Sequence, residues 1–364
     1  MELWSSCLLR SSFCIFSSRS WTQLLSLQPK VQSSAHDLLA RGLFHDRVIP
    51  PISSLKLELV IDDVLSFARQ EMNKTPAARR RSRLVRHSVP KMKHLRRHFG
   101  IPNPYSQSML CIAVTDNWQR LDNLCKKSSI SLSRPIASVR RAVGSEHSRR
   151  VDGVRRAQAS VGRRFMLKTD IAAFNPSIYT RSIPWSIHGK EVARSKRAKN
   201  WYGNQLDTSM CETQDRQIGG IPIGPDTSFL IAEVIASRMD AMLERIMKQK
   251  LRGVRYIDDY SLYFRTRSEA ERALAALYGV TQAFELQISG PKTEIIEIPE
   301  AIELEWKTEL RLIRFPSDGR ATGLKAFFDR GCYLAKRAWS TQTRNAGILS
   351  PFPRSVSIRM SQAA

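Results

Sequence analysis

The stretch VRYIDDYSLYF, residues 254–264, places two adjacent carboxylates inside an apolar and aromatic run. Neighbouring acids repel each other, and half-burial also removes their hydration, which is costly unless a cation is present. Apolar side chains alternate on both sides of Asp258 and Asp259, and this period of two is typical of strands. We therefore predict two short strands joined by a tight hairpin, with the acids near its tip. A shared metal ion is one explanation of the pair; ordinary turn chemistry, in which aspartate is common, is the other.

A third acid ends another apolar segment. FMLKTDIAAF, residues 165–174, predicts a buried strand that ends at Asp170. Phosphoryl transfer by two metal ions needs carboxylates from separate strands, which hold the ions about 3.5–4 Å apart. Asp170, Asp258 and Asp259 are therefore candidate ligands of one such site. A helix cap or a turn residue is the alternative for Asp170 alone.

GGIPIGPDTS, residues 219–228, lies between the two acidic segments in the sequence. Its glycines permit close approach of the backbone to a nucleotide or template base, although a plain turn is the default interpretation of one glycine-rich loop. The order of acid-ending strand, glycine loop, helix and twin-acid hairpin is more specific than any of its parts.

Two helices and a further strand are predicted around these segments. Apolar spacing predicts a helix over residues 228–248, with an N-cap at Asp226, Thr227 or Ser228. The pattern from Ser268 to Glu271 is a candidate capping box.

That capping box would open a helix running to about Phe284. LQISGPKTEIIEI, residues 286–298, then predicts a turn followed by a strand. Strand, helix, hairpin, helix and strand together predict an α+β fold, with an antiparallel hairpin packed on helices.

The charge of the chain indicates a polyanionic partner. There are 58 Lys and Arg against 33 Asp and Glu, a formal net charge of +25. Ten basic residues lie from Lys74 to Arg97 and twelve from Lys126 to Lys168. A single basic run is usually a solvated face, but two in the same half of the chain favour a phosphate-binding surface. Nucleic acid is expected before a membrane, since no window of about 18 uninterrupted apolar residues occurs.

The cysteines and the two termini add less. The six cysteines are scattered without a Cys-x-x-Cys pair, which predicts neither a zinc site nor a disulfide framework and fits a reducing compartment. The serine-rich first 35 residues resemble an organellar transit peptide, but equally a disordered extension or a start codon placed too far upstream. The segment from Ser340 to the end lacks periodicity and is predicted to be poorly ordered.

Four consecutive residues carry a family resemblance. Tyr256-Ile257-Asp258-Asp259 matches the Tyr-x-Asp-Asp signature of reverse transcriptases. Residues 168–190 and 220–240 resemble the two palm motifs that precede it in that family, and ISGPKTEI, residues 288–295, resembles the lysine-bearing motif that follows. From about Leu38 to Arg314 the chain is most similar to bacterial retron-like and abortive-infection or antiviral-defence reverse transcriptases.

The resemblance implies a right-hand polymerase. Its α+β palm, an antiparallel sheet packed on helices, would follow a mostly helical, basic fingers region and precede a short helical thumb remnant. The expected parts are a presequence-like or disordered extension over 1–36, fingers over 37–160, a palm over 161–300, and a short thumb-like region with a disordered tail over 301–364.

The resemblance also implies roles for individual residues. Asp170, Asp258 and Asp259 would bind two Mg²⁺ ions, with the backbone carbonyl of Ile171 as a further ligand. Lys292 would act beside the incoming triphosphate, although a solvated turn lysine explains it equally well without the resemblance. The expected nucleotide and template contacts are Phe174, Asn175, Gly220, Pro222, Gly224 and Tyr256.

Two positions depart from the family pattern. Asn175 stands where the family usually has an aromatic residue that excludes ribonucleotides, and its smaller side chain leaves room for a 2′-hydroxyl. Ile223 stands where retroviral and intron relatives commonly have glutamine.

The implied activity is that of an RNA-directed DNA polymerase, which adds deoxynucleoside triphosphates to a primer 3′-hydroxyl on an RNA template and forms an RNA/DNA duplex. Phage defence in the bacterial cytoplasm, with a non-coding RNA or a partner protein and without a membrane, is the implied setting. The alternatives are a catalytically weakened RNA-binding scaffold, a template-independent nucleotide polymerase, and a nuclease that uses the same acids.

Overall fold

The computed structural model describes residues 33–44, 54–91, 95–147, 152–195, 201–298, 325 and 328–334. The chain divides into two compact units, Met1–Ile298 and Pro299–Ala364, close to the predicted end of the palm at residue 300. In the second unit, residues 328–334 are helical. The predicted tail from Ser340 and most of the predicted extension lie outside the described residues. Ser34, inside the predicted extension, instead caps the first helix.

The first unit contains eleven described helices and eight described strands. The helices are α1 (Ala35–Ala40), α2 (Ile61–Met72), α3 (Pro104–Asp116), α4 (Trp118–Cys125), α5 (Asp152–Ser160), α6 (Phe174–Ser177), α7 (Ser182–His188), α8 (Lys190–Ser195), α9 (Tyr202–Glu212), α10 (Asp226–Met247) and α11 (Arg267–Ala283). The strands are β1 (Val85–Pro90), β2 (Arg96–Ile101), β3 (Pro135–Ala137), β4 (Val143–Ser145), β5 (Phe165–Asp170), β6 (Gly253–Tyr256), β7 (Asp259–Phe264) and β8 (Glu294–Glu297). Short 3₁₀ turns cover Leu55–Leu59 and Gly290–Lys292.

Four of the strands form one antiparallel sheet in the order β6-β7-β5-β8. Leu167 of β5 lies opposite Leu262 of β7, and both side chains are fully buried, so an apolar pair sits at the middle of this register. Helix α11 packs against β5, β7 and β8, and α5 packs against β6 and β7. The hairpins β1–β2 and β3–β4 are separate two-stranded sheets. The predicted α+β fold, with antiparallel strands packed on helices, is confirmed at this level.

Helix α10 runs through the core and contacts α3, α4, α7 and α11. Ile231, Ile235 and Met239 are buried, as their spacing predicts, whereas Ile246 near the end of the helix is exposed. The predicted N-cap is wrong, because the helix already begins at Asp226 and Pro225 occupies the cap position.

The side chain of Asp226 is used differently. Its carboxylate accepts a hydrogen bond from the backbone N–H of Val143 at 2.9 Å and pairs with Arg141. A residue predicted to cap its own helix therefore ties the β3–β4 hairpin to the start of α10.

Helix α11 ends where the sequence predicts, with Phe284 at its C-cap, but its N-cap lies upstream of the predicted capping box. The hydroxyl of Thr266, not Ser268, accepts the N–H of Glu269 at 3.2 Å. The carboxylate of Glu269 accepts the N–H of Arg265 at 3.1 Å. Because Thr266 and Glu269 repeat the spacing of the predicted box, the sequence contains two overlapping capping patterns, and the helix uses the upstream one.

A fully buried guanidinium joins α10 to the sheet. Arg255 of β6 is 0% exposed, and its Nε donates to Asp240 at 2.8 Å while Nη2 donates to Glu233 at 2.6 Å. The hydroxyl of Tyr260 donates to the other oxygen of Asp240 at 2.9 Å. Burial opposes ionisation of Glu233, but Arg255 and neighbouring hydroxyls hold its pKa below the ordinary value. Adjacent strand residues point to opposite faces, and since Val254 is also buried, both faces of β6 are covered.

Serine hydroxyls complete this polar layer. In the segment 128–133, between α4 and β3, Ser128 donates to Asp240, Ser131 and Ser133 donate to Glu233, and Ser129 donates to Glu244, all at 2.6–2.7 Å. The segment also pairs with β6, because Arg255 N–H donates to the carbonyl of Ile130 at 2.7 Å. Each acid on this side of α10 therefore has hydroxyl donors from a second part of the chain.

Two further features bear on the sequence expectations. Cys111, Cys125 and Cys211 are buried thiols in the core. Within the described ranges, the helices are too short or too polar for any of them to cross a lipid bilayer.

Replacing Arg255 with methionine should lower the free energy of unfolding by about 3–5 kcal/mol, because Glu233 and Asp240 would remain buried without their counter-ion. Urea denaturation followed by circular dichroism measures this loss. The matched control is Arg267→Met, which breaks the exposed Arg267–Glu271 pair and should cost under about 1 kcal/mol. Equal losses in the two variants would contradict the structure of the buried network.

Thr266→Ala should destabilise the protein by about 1 kcal/mol, because it removes the N-cap acceptor of α11. Ser268→Ala, two residues further on, should change stability much less. Thermal or urea unfolding of the two variants distinguishes the observed cap from the one that the sequence predicted. A larger effect at Ser268 would contradict the observed helix start.

Candidate active site

Three acids meet at one end of the four-stranded sheet. Asp170 is the last residue of β5, and Asp258 and Asp259 lie where β6 turns into β7. Asp170 is directly opposite Asp259 in the antiparallel register, a pairing that brings Cα atoms within about 4.5–5.5 Å of each other. The predicted strand end and the predicted hairpin are both confirmed. Acids far apart in the sequence are therefore neighbours in space.

The acids differ in burial and share an unfavourable electrostatic environment. Asp170 is buried, Asp258 is half-buried and Asp259 is exposed. Burial, together with the charges of Asp170 and Asp259, raises the pKa of Asp258 to about 7. At neutral pH the carboxyl group of Asp258 is therefore only partly ionised unless a cation binds beside it.

Lys292 supplies one positive charge to this group. Its ammonium donates to Oδ2 of Asp170, and this bond, with the nearby charges of the other two acids, raises the pKa of Lys292. The side chain comes from the 3₁₀ turn that precedes β8, which pairs with β5. The lysine of the ISGPKTEI segment therefore lies beside Asp170.

The acids offer the oxygen ligands that Mg²⁺ prefers. Oδ1 of Asp170 is buried and has no hydrogen-bond partner among the described residues, so it is open to a cation. Ile171 adjoins it, and the N–H of Ile171 donates to the carbonyl of Asp258 at 3.2 Å, which ties the two acidic segments together. Across the described ranges, however, no three Asp, Glu, His or Cys side chains form a closed metal cluster.

A cleft of about 760 Å³ opens at the acids. Most of the predicted site residues line it: Asp170, Ile171, Phe174, Asn175, Gly224, Tyr256, Asp258, Asp259 and Lys292. Phe174 is nevertheless buried, so that little of its ring is accessible, while Asn175 is half-buried. Gly220 and Pro222 are not among the residues that line the cleft.

Gly220 and Pro222 instead determine how the glycine loop packs against the rest of the fold. Gly220 has φ +80°, and a side chain there would approach the carbonyl of Pro176 to 2.9 Å. A Cβ on Gly100 of β2 would lie 2.6 Å from Pro222, and the N–H of Gly100 donates to the carbonyl of Ile223 at 2.9 Å. The glycine loop is therefore fixed against the β1–β2 hairpin.

That hairpin brings cations into the same cleft. Lys91, Arg96 and Arg97 line it together with the acids, and His98 also lies there. The sequence identified the basic run around these residues but did not place it beside the carboxylates. The alternating pattern of VRHSVP and RRHFGI was the available signal for a hairpin. The cleft thus combines a carboxylate edge with a cationic lining.

No protein-family model matches the chain, and no curated protein matches it at a significant level. Among solved structures, telomerase from Candida albicans in complex with a TWJ fragment of telomeric RNA is similar over 71% of this chain and 49% of its own, at 10% identity and a TM-score of 0.44.

Two structures of apo telomerase from Candida tropicalis are similar to a comparable extent. The form truncated from the C-terminal domain matches over 71% of this chain and 59% of its own, at 11% identity and a TM-score of 0.44. The other matches over 68% and 50%, at 12% identity and a TM-score of 0.45. This chain spans roughly half the length of the telomerases that it matches. Similarity at this level carries no argument about what the chain does.

The stability of the metal-free protein should depend on pH through Asp258. Its folded-state pKa of about 7 lies above the ordinary value of 3.8, so the protonated carboxyl stabilises the fold. That contribution is fully present below the ordinary value and is lost as the pH rises to the folded-state value. With a chelator present, the free energy of unfolding of the native protein minus that of Asp258→Asn should fall as the pH rises from about 4 to about 7. Above that range the difference should level off.

Urea denaturation of both proteins at each pH measures the difference. The asparagine of the variant is neutral throughout, so the difference reports the titration of the Asp258 carboxyl together with its repulsion by Asp170 and Asp259. A difference that stays constant over the range would contradict the electrostatic environment described for Asp258.

Proposed function

We propose that the chain is an RNA-directed DNA polymerase, a nucleotidyltransferase that extends a primer 3′-hydroxyl with deoxynucleoside triphosphates. The observation that carries the proposal is the juxtaposition of Asp170 with the Asp258–Asp259 hairpin on adjacent strands, beside Lys292 and within a cleft that also has a cationic lining. The net charge of +25 supports a nucleic-acid partner.

The donor set fits magnesium. Asp170, Asp258 and Asp259 would hold two Mg²⁺ ions, with the carbonyl of Ile171 as a further ligand, and the open oxygen of Asp170 supports this assignment. Such ions activate the attacking hydroxyl and stabilise the charge on the leaving group. Since the acids do not form a closed cluster in the described conformation, binding would require their side chains to draw together.

The chain's own residues account for substrate binding. Lys91, Arg96 and Arg97 would hold phosphate groups in the cleft, and Lys292 would neutralise the triphosphate after leaving Asp170. Tyr256, Phe174, Asn175 and Gly224 would shape the nucleotide and template pocket. Asn175 lines the cleft, and its backbone carbonyl accepts the N–H of Ile221 at 2.9 Å, which fixes this position against the glycine loop.

This function carries a proposed division of the chain. The sheet β5–β8 with α10 and α11 would be the palm, and the basic half that contains β1–β2 would be the fingers. Gly220 and Pro222 would support the pocket through the packing of their loop, not by direct contact. The thumb predicted over residues 301–364 lies almost wholly outside the described ranges.

Asp258→Asn should reduce Mg²⁺-dependent primer extension on an RNA template by roughly 10³-fold or more, as expected for a group that acts directly at the reacting atoms. The control is Asp63→Asn, which neutralises an exposed acid on α2 and should leave the rate unchanged. Incorporation of labelled deoxynucleotides by the purified full-length chain measures both. Parallel reactions with ribonucleotides test whether the chain discriminates against a 2′-hydroxyl, for which the small side chain of Asn175 leaves room.

The same reactions distinguish the other functions. RNA binding without incorporation by the native protein would favour the scaffold, and incorporation without a template would favour a template-independent polymerase. Degradation of the primer or template, lost in Asp258→Asn, would indicate a nuclease. The retron-like branch, phage defence and a bacterial cytoplasmic location stay predictions from the sequence resemblance.

A further inference from the structure

The turn between the two halves of the acidic hairpin has an unusual backbone. Ile257 lies between Tyr256 and Asp258 with φ +60°, in the left-handed region. β-Branched side chains are rarely found there, because their Cβ substituents crowd the backbone. Some other part of the structure must hold Ile257 in this conformation, since its own preference is for the extended region.

Both peptide groups of Ile257 are held from outside the turn. Its N–H donates to Oγ of Ser133 at 2.9 Å, and its carbonyl accepts from Nη1 of Arg255 at 2.9 Å. Ser133 belongs to the segment between α4 and β3, more than a hundred positions away in the sequence. The hairpin's conformation is therefore fixed by a distant part of the chain as well as by its own strands.

One carboxylate orients both of these partners. Oε2 of Glu233 accepts from Ser133 Oγ at 2.7 Å and from Arg255 Nη1 at 3.0 Å. Ser133 and Arg255 are 0% exposed and Glu233 is 2% exposed. A hydroxyl that donates to Glu233 must present its lone pairs elsewhere, and the N–H of Ile257 receives them. Ser133, Glu233 and Arg255 thus form a closed, buried set of hydrogen bonds around Ile257, which we call the hairpin clamp.

We infer that the hairpin clamp positions Asp258 and Asp259 for the proposed reaction. The inference rests on the proposed function, and it makes Ser133, Glu233 and Arg255 positioning residues rather than catalytic residues. They do not line the cleft and act through the peptide groups of Ile257. The clamp keeps the turn in the conformation that sets the acids opposite Asp170.

The contacts of Arg255 separate this role from ordinary stabilisation. Its Nε bonds Asp240, and this bond anchors β6 to α10. Its Nη1 bonds Glu233, which also lies on α10, and in addition the carbonyl of Ile257. An ion pair that served stability alone would not need the second of these bonds, nor the matching bond from Ile257 to Ser133.

The segment that carries Ser133 also offers a control at an exposed serine. Ser129 donates to Glu244, on the same helix as Glu233, at 2.6 Å. Ser133→Ala and Ser129→Ala each remove one serine–carboxylate hydrogen bond between the same two elements. Only the first removes the acceptor for the N–H of Ile257.

The direct test is amide hydrogen exchange at Ile257, followed by NMR on the full-length protein. In the native protein and in Ser129→Ala this amide should be strongly protected, and in Ser133→Ala its exchange should accelerate at least about tenfold while core amides of β5 remain protected. Exchange of the native Ile257 amide at the rate of exposed turn amides would overturn the inference. This measurement needs no variant, so it can overturn the inference even if Ser133→Ala does not fold.

A second readout measures the consequence for the acids. Mn²⁺ affinity, measured by the loss of the free-ion EPR signal, should weaken in Ser133→Ala and stay unchanged in Ser129→Ala. The kcat for nucleotide addition should fall about 10- to 100-fold with little change in KM, because misplaced acids slow the reaction without touching the nucleotide. If Ser133→Ala binds Mn²⁺ and turns over like Ser129→Ala, the clamp does not position the acids.

These measurements also separate the inference from the function on which it rests. A native protein with a protected Ile257 amide and no nucleotide incorporation would end the polymerase proposal but leave the clamp intact. A native protein that polymerises normally but has an unprotected Ile257 amide would leave the polymerase proposal intact and end the inference about the clamp.

Discussion

The buried guanidinium of Arg255 is the group on which the support of the acidic hairpin depends. A charge in a dry core is costly unless paired and hydrogen-bonded, and Arg255 is surrounded by Glu233, Asp240 and a carbonyl of the hairpin turn. Helix α10, strand β6 and the serine segment 128–133 each supply part of this environment. None of the three can shift without leaving a buried charge or hydroxyl unsatisfied, so the network fixes their relative positions.

The acidic edge of the sheet shows the opposite balance. Burial and the neighbouring charges of Asp170 and Asp259 raise the pKa of Asp258 to about 7, and Lys292 donates to Asp170. A fold selected for stability alone would not collect three carboxylates there. In the buried network Arg255 is paired with Glu233 and Asp240, whereas at the acidic edge three carboxylates lie together beside Lys292. Carboxylates held close together, with a pKa raised by burial and by one another, are typical of functional sites.

Much of this arrangement could be predicted from local patterns in the sequence. Alternating apolar residues predicted β6 and β7, the apolar run before Asp170 predicted β5, helical spacing predicted α10, and a capping pattern predicted α11. These predictions are correct because each element buries one apolar face in the same core, and that burial sets the spacing of its apolar residues. The N-cap predictions at Asp226 and Ser268 are wrong. The carboxylate of Asp226 instead accepts a long-range hydrogen bond from Val143. The hydroxyl of Thr266, two residues before Ser268, caps α11.

The support of the site could not be predicted in the same way. Arg255 sits in a strand where alternation alone would place a charged residue on an exposed face, and its burial depends on Glu233 and Asp240 from another element. Ser133 looks like one of several loop serines until its hydroxyl meets Ile257. The placement of β1–β2 cations beside the acids depends likewise on the long-range bond from Gly100 to Ile223. Such contacts carry no local periodicity, so only the assembled fold reveals them.

Anomalous diffraction from crystals of the protein grown with Mn²⁺, recorded at the manganese absorption edge, addresses the central claim most directly. A cation shared between two strands should appear as a peak within about 2.0–2.6 Å of carboxylate oxygens from both Asp170 and Asp258, with Lys292 displaced from Asp170. If no anomalous peak appears at the acids, Lys292 remains bound to Asp170, and manganese binds only elsewhere on the protein, the account is contradicted.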